Sequence, residues 1–292
     1  MSTIDIQIQE VEAKTLAMLK DFQRATVERI DTLYWHGQKR VLVADEVGLG
    51  KTLIARGVIA KMAKLRYLED DPLFKVVYVC SNQNIARQNI RKLALSEDIS
   101  SMDDISETRL SMQHLRVEEQ EMSAKGNGQY IQLIPLTPQT SFRVTQGAGS
   151  MDERALMFSV LSFLPEFQES AELRDKLNFT LQYGVKDDGW TWRVSKSPKS
   201  YTNRILNCRK QTSGDYPDSV LTEVKASPVF LEMMDYLSGR YYTNSVVQGD
   251  YGLICKLRRL FAEISVGRLN PDLVIMDEFQ RFRFLIENQD ID

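Results

Sequence analysis

Between residues 40 and 65 the chain reads RVLVADEVGLGKTLIARGVIAKMAKL, and this stretch restricts the fold more than any other. A short apolar run with β-branched residues, 40–44, meets a turn holding two glycines, and a helical pattern follows directly. Gly48 and Gly50 let the backbone turn with its N–H groups inward. The start of the helix brings the positive end of its dipole to the same place. Strand, glycine turn and helix in that order predict a phosphate-binding loop. Asp45 stands where the usual G-x-x-x-x-G-K-[ST] has its first glycine.

Other segments extend the pattern. KVVYVC at 75–80 reads as a buried strand, and NIARQNIRKLAL behind it has helical character. This continues a βαβ arrangement, which implies parallel strands joined by right-handed crossovers. PDLVIMDEFQ supplies another apolar run, 273–276, ending in two acids. Parallel sheets carry their chemistry at the carboxyl ends of their strands, so 45–52 and 277–280 are expected at one edge. Near the N-terminus Leu16, Leu19, Phe22, Val27, Ile30 and Leu33 recur at helical spacing and predict one helix from Val11 to Tyr34.

The middle is different. QYIQLIPLTPQTSF offers one more strand and a turn, in which Thr137, Thr140 and Ser141 could donate to phosphates. Helices are expected at DERALMFSVLSFL, VFLEMMDYLSGRYY and YGLICKLRRLFAEIS, with an irregular stretch from Gly189 to Gly214. The expected organisation is an α/β core with a parallel sheet: 1–105 its first part, 106–265 a large, mostly helical insertion, and 266–292 the returning strand. The 189–214 stretch carries Arg193, Lys196, Lys199, Arg204, Arg209 and Lys210 with no acid, and Trp190, Trp192 and Tyr201 among them. Such interleaving could bind phosphates and stack on bases, but a run of charge is more often solvated surface, here a loop whose aromatics pack on the core.

Each residue of the loop has a chemical task in this reading. Glu46, Val47, Gly48, Leu49 and Gly50 form the cradle around nucleotide phosphates, Lys51 reaches the β- and γ-phosphates, and Thr52 holds Mg2+ through its hydroxyl. Asp277 sits at a strand end, where it can bind the metal through water, and Glu278 is placed to orient and polarise an attacking water. Cys80, Cys208 and Cys255 are far apart, and with only two histidines, His36 and His114, no zinc-type spacing arises. The N-terminus lacks a signal-peptide pattern and no apolar run reaches bilayer length, so a cytoplasmic protein without a membrane partner is expected. A net charge of -3 leaves any nucleic-acid contact to a local patch.

ADEVGLGKT resembles motif I of the Swi/Snf-type helicase-like ATPases in helicase superfamily two, where an Asp-Glu pair precedes the glycines, and DEFQ resembles their motif II. The resemblance implies a P-loop, RecA-like three-layer fold and ATP hydrolysis with Mg2+ on nucleic acid, DNA rather than RNA. It gives Gln280 the position that couples nucleotide to nucleic acid. Phe22-Gln23 is similar to the family's upstream glutamine, which implies adenine recognition by Gln23. VVYVCSNQNIARQN resembles motif Ia, with Ser81 where the family has proline. A complete motor also has a second RecA-like lobe, in the same chain or a partner, that supplies arginines to the cleft. No motif III follows DEFQ, so the chain is expected to be a fragment with weak or no turnover alone. Another P-loop class, such as an AAA+ ATPase or a signalling NTPase, and a nucleotide-gated binding module that never hydrolyses are the alternatives.

Overall fold

The computed structural model describes residues 3–44, 48–96, 100–102, 109–127, 129–137, 147–211, 215–239 and 248–278. The chain divides into two compact units: Met1–Thr108, Ser123–Thr140 and Asn270–Asp292 form the first, Arg109–Met122 and Ser141–Leu269 the second. Residues 123–140 therefore belong with the sheet. Among the described residues no helix is long and apolar enough to cross a membrane.

The first unit is an α/β layer built on a parallel sheet. Strands β1 (Phe74–Val79), β2 (Ser100–Met102), β3 (Ile131–Leu136) and β4 (Leu273–Met276) lie in the order β2-β3-β1-β4. All pairings are parallel, with Phe74 opposite Ile131 and Val79 opposite Met276. β3 is buried at every position and β1 at all but Lys75, as central strands of a parallel sheet must be. β4 lies at the edge and leaves Val274 and Met276 exposed.

Three helices precede β1: α1 (Thr3–Ala17), α2 (Asp21–Trp35) and α3 (Lys51–Leu68). The helix expected over 11–34 is thus two helices. The break falls at 18–20, where the Lys20 N–H is taken by the Gln23 side chain at 3.0 Å and α2 starts afresh. Ile54, Ile59 and Ala63 of α3 share one core with Phe74, Val76, Tyr78 and Leu273. α2 approaches α3 so closely at Gly57 that a Cβ there would lie 2.7 Å from Val27 Cγ2. Helix α4 (Gln83–Leu93) contributes Ala86, Ile90 and Leu93 to the same core.

The strand expected at 40–44 does not form; 41–44 carries no ladder. Its side chains still alternate as a strand's would, Val41 and Val43 against the core and Leu42 out in solvent. What is missing is a hydrogen-bonding neighbour: among the described residues β4, the edge strand, pairs only with β1.

The second unit is helical. After a 3-10 turn (Leu110–Met112) come α5 (Gln113–Asn127, in this unit as far as Met122), α6 (Met151–Leu161), α7 (Pro165–Glu169), α8 (Ala171–Gln182), α9 (Asp187–Thr191), α10 (Tyr201–Gln211), α11 (Asp215–Ala226), α12 (Pro228–Ser238) and α13 (Gln248–Leu269). The stretch expected to be irregular, 189–214, holds the end of α9, a π-helical turn (Trp192–Lys196) and all of α10. Its Trp190, Val194, Tyr201, Ile205 and Cys208 are core residues, and that apolar spacing is the reason it is ordered.

Polar groups are woven into this core. The Glu153 carboxylate, wholly buried, lies 2.9 Å from the equally buried Arg258 Nε, an ion pair rather than an aligned hydrogen bond. It also accepts from Ser111 and faces Arg109 at 3.5 Å. Arg154 donates to the carbonyls of Leu181, Gln182 and Tyr183 at 3.0, 2.9 and 3.2 Å, capping the negative end of α8 with a cation. Gly149, at φ +73°, has no alternative: a Cβ would collide with the Glu153 carboxylate.

His114 is completely buried, with Nδ1 3.0 Å from the Tyr216 hydroxyl. Burial, and then Arg268, push its pKa down to about 3. The unfolded chain protonates this imidazole near pH 6.5 and the folded one does not, so its contribution is fully present above that pH and is lost as pH falls towards 3. Between pH 6 and 4 the stability should drop by about 1.4 kcal/mol per pH unit more in the wild type than in His114→Gln, measured by urea unfolding.

Candidate nucleotide site

All the described site residues lie in the first unit. Gly48 and Gly50 take the left-handed conformation, φ +92° and +82°, which L side chains rarely adopt, so the two glycines do the turning that the sequence assigned to them. Gly50 is the N-cap of α3, and Lys51 and Thr52 begin its first turn. Among the described residues no side chain caps that terminus, and no acid stands in the first turn. The positive end of the helix dipole is therefore presented at the loop, the arrangement that receives an anion. Glu46, Val47 and Gln280 lie outside the described residues, as do Asp45, Thr140 and Ser141.

The direction of α3 decides where this terminus lies. At its other end Arg66 Nη2 is 3.2 Å from Asp272, which precedes β4, and is also paired with Asp71, which precedes β1. Asp272 is itself laced to β1, accepting from the Lys75 N–H at 2.7 Å. The C-terminal end of α3 thus sits at the amino edge of the sheet. Over 18 residues the helix runs about 27 Å, and its N-terminus is carried towards the carboxyl edge.

That edge holds Asp277 and Glu278. The register sets Val79 beside Met276, and the Asp277 N–H closes the ladder on the Val79 carbonyl at 2.8 Å. The Asp277 carboxylate accepts from the Tyr78 hydroxyl at 2.6 Å and from Asn89 Nδ2 at 3.3 Å. Glu278, at φ +53°, occupies a left-handed conformation costly for a residue with a side chain, and its carboxylate accepts from Ser81 Oγ at 3.2 Å. Ser81, which departs from the motif Ia pattern, is thus a donor to the second acid. Burial first, and then the field of Asp277 and Glu278, push the neighbouring Cys80 thiol up to about 11.

Gln23 is 3% exposed, whereas Phe22 beside it is 44% exposed, so the glutamine and not the phenylalanine turns inward. Its Nε2 donates to the Leu49 carbonyl of the loop at 2.9 Å, and its Oε1 accepts from the Lys20 N–H. A carboxamide has two donor hydrogens and two acceptor lone pairs. The fold uses one of each.

The residues present fit Mg2+ and nucleotide by the chemistry of their donors: uncapped amides, an ammonium and a hydroxyl on α3, and two carboxylates at one sheet edge. Sequence reading missed Tyr78, Asn89 and Ser81 as supports of those carboxylates. A tyrosine in an otherwise apolar strand, two residues before Cys80 and hence on its face, was the available signal.

The acid-free basic stretch finds its acids elsewhere. Arg193 pairs with Asp152, Arg204 with Glu119 at 2.6 Å and Arg209 with Asp218 at 3.3 Å. Trp190 and Tyr201 are buried, and Trp192 alone of the three aromatics is exposed. Lys196, Lys199 and Lys210 lie at the surface.

No curated protein and no solved structure matches the chain. Over residues 15–139, the span that holds Gln23, the glycine loop and β1, the chain matches the family described as Type III restriction enzyme, res subunit, a superfamily-two helicase-type ATPase domain.

Proposed function

We propose that this chain is the ATP-binding lobe of a nucleic-acid-dependent, helicase-like ATPase of Swi/Snf type, acting in the cytoplasm on DNA. The observation that carries it is the pair of left-handed glycines opening an uncapped helix whose N-terminus runs to the sheet edge bearing Asp277 and Glu278. The match over 15–139 supports the helicase-type ATPase; the Swi/Snf resemblance and the DNA partner are finer readings resting on ADEVGLGKT and DEFQ.

In this reading the α3 amides and Lys51 hold the β- and γ-phosphates, and Gln23 reads the adenine edge. Mg2+, bound by the Thr52 hydroxyl and through water by Asp277, would neutralise charge on the phosphates. Glu278 orients and polarises the water in line with the γ-phosphate, and Gln280 relays the nucleotide state to nucleic acid. A second RecA-like lobe, in the same polypeptide or a partner, would supply the arginines that raise turnover. The helical unit, Arg109–Met122 and Ser141–Leu269, replaces the single insertion expected over 106–265, and its exposed Lys196, Lys199 and Trp192 are the remaining candidates for backbone and base contact.

Titration with a fluorescent ATP analogue tests this. Binding should saturate, tighten with Mg2+ and be displaced by ATP more readily than by GTP. Gln23→Ala should weaken both nucleotides, because the Leu49 bond is lost, and ATP by about tenfold more than GTP, because the base contact goes too. Absence of saturable binding would overturn the assignment.

A further inference from the structure

Asp277 and Glu278 are held by a corner of the fold that the phosphate-loop reading does not include. Tyr78 is the penultimate residue of β1, 2% exposed, and its hydroxyl reaches the Asp277 carboxylate at 2.6 Å. Asn89, two turns into α4, sends its Nδ2 both to the Tyr78 oxygen at 2.8 Å and to Asp277 Oδ2 at 3.3 Å. An amide donor on the phenol oxygen leaves the phenol hydrogen one direction, towards the carboxylate. Ser81, between the two elements, donates to Glu278 at 3.2 Å.

We propose that Tyr78 and Asn89 are positioning residues that lock the Asp277 carboxylate for the divalent cation, with Ser81 doing the same for Glu278. Both donors converge on Oδ2, which leaves Oδ1 as the oxygen for a metal-bound water. An aspartate at the end of an edge strand, with Met276 exposed beside it, would otherwise sample several rotamers. Fixing one of them before the cation arrives removes that ordering cost from the binding step, as outer partners of metal ligands do elsewhere. Because Tyr78 and Asn89 come from the βα unit of motif Ia, that unit is tied directly to the metal ligand.

This inference rests on the nucleotide-site reading, and its test separates the two. Mn2+ serves as the probe, its free concentration followed by electron paramagnetic resonance with the full chain and ATP, beside ATP-analogue binding in EDTA. Tyr78→Phe keeps the ring in the core, and Asn89→Ala approaches the same carboxylate from another element. Both should lower Mn2+ affinity by about tenfold or more while leaving metal-free nucleotide affinity within about twofold of wild type. Asp277→Asn should lose Mn2+ binding in the ternary complex. If Asp277→Asn binds Mn2+ like the wild type, the site reading fails and the inference with it. If Asp277→Asn loses Mn2+ while Tyr78→Phe and Asn89→Ala keep it, the inference alone is overturned. Equal losses with and without metal would mark the pair as general supports of the fold and overturn it too. Should Tyr78→Phe fail to fold, Asn89→Ala decides.

Discussion

Lys51→Ala should lower ATP affinity by about 10- to 100-fold while changing the melting temperature by no more than a few degrees. Lys51 stands in the first turn of α3 and is not a buried core residue, so its loss costs the fold little. Removing the ammonium takes away charge-assisted bonds to the phosphates, worth about 1.5–3 kcal/mol. ATP-analogue titration and differential scanning calorimetry on the same preparation check both, and a large drop in stability together with unchanged affinity would contradict the assignment.

The second large effect concerns stability. Glu153→Ala should destabilise the helical unit by about 3–5 kcal/mol in chemical unfolding, because it leaves the Arg258 guanidinium buried without its counter-charge. Ser111 loses its acceptor and the α6 N-terminus loses its reciprocal cap with Ser150 in the same step. The double replacement Glu153→Leu with Arg258→Met should recover most of the loss, since two apolar groups need no partner. A Glu153→Ala chain as stable as the wild type would mean that water reaches the cation.

The glycine turn and the helix behind it were legible because the demands of such a turn are local. Two glycines, a lysine and a threonine must follow one another for a helix N-terminus to meet phosphate, and only their order matters. The acid pair was legible for a similar reason, an apolar run stopping at Asp277-Glu278. The strand before the loop was misread because alternation records which face a residue turns to and says nothing of whether a neighbour exists; Val41 and Val43 pack inward without a ladder. The single helix over 11–34 failed on a detail of capping, Gln23 closing on the Lys20 N–H, which periodicity cannot see. The ion pairs of the 189–214 stretch were not legible, because the compensating acids, Glu119, Asp152 and Asp218, are remote in sequence or stand just beyond it. Tyr78 and Asn89 were hidden by the same rule, since their partner is 199 and 188 residues away.

That last separation carries a kinetic consequence. The helical unit closes mostly through contacts made within 109–122 and 141–269, but the sheet of the first unit is completed only when residues 273–276 reach β1. Loop closure over such a span is slow and follows the local contacts. During synthesis the glycine loop and β1 emerge long before Asp277 and Glu278, so the chain passes through an interval in which it holds the loop but no carboxylate pair. On the proposed function, divalent-cation binding would therefore be acquired only as β4 docks on β1, and its appearance in a refolding time course would report that docking.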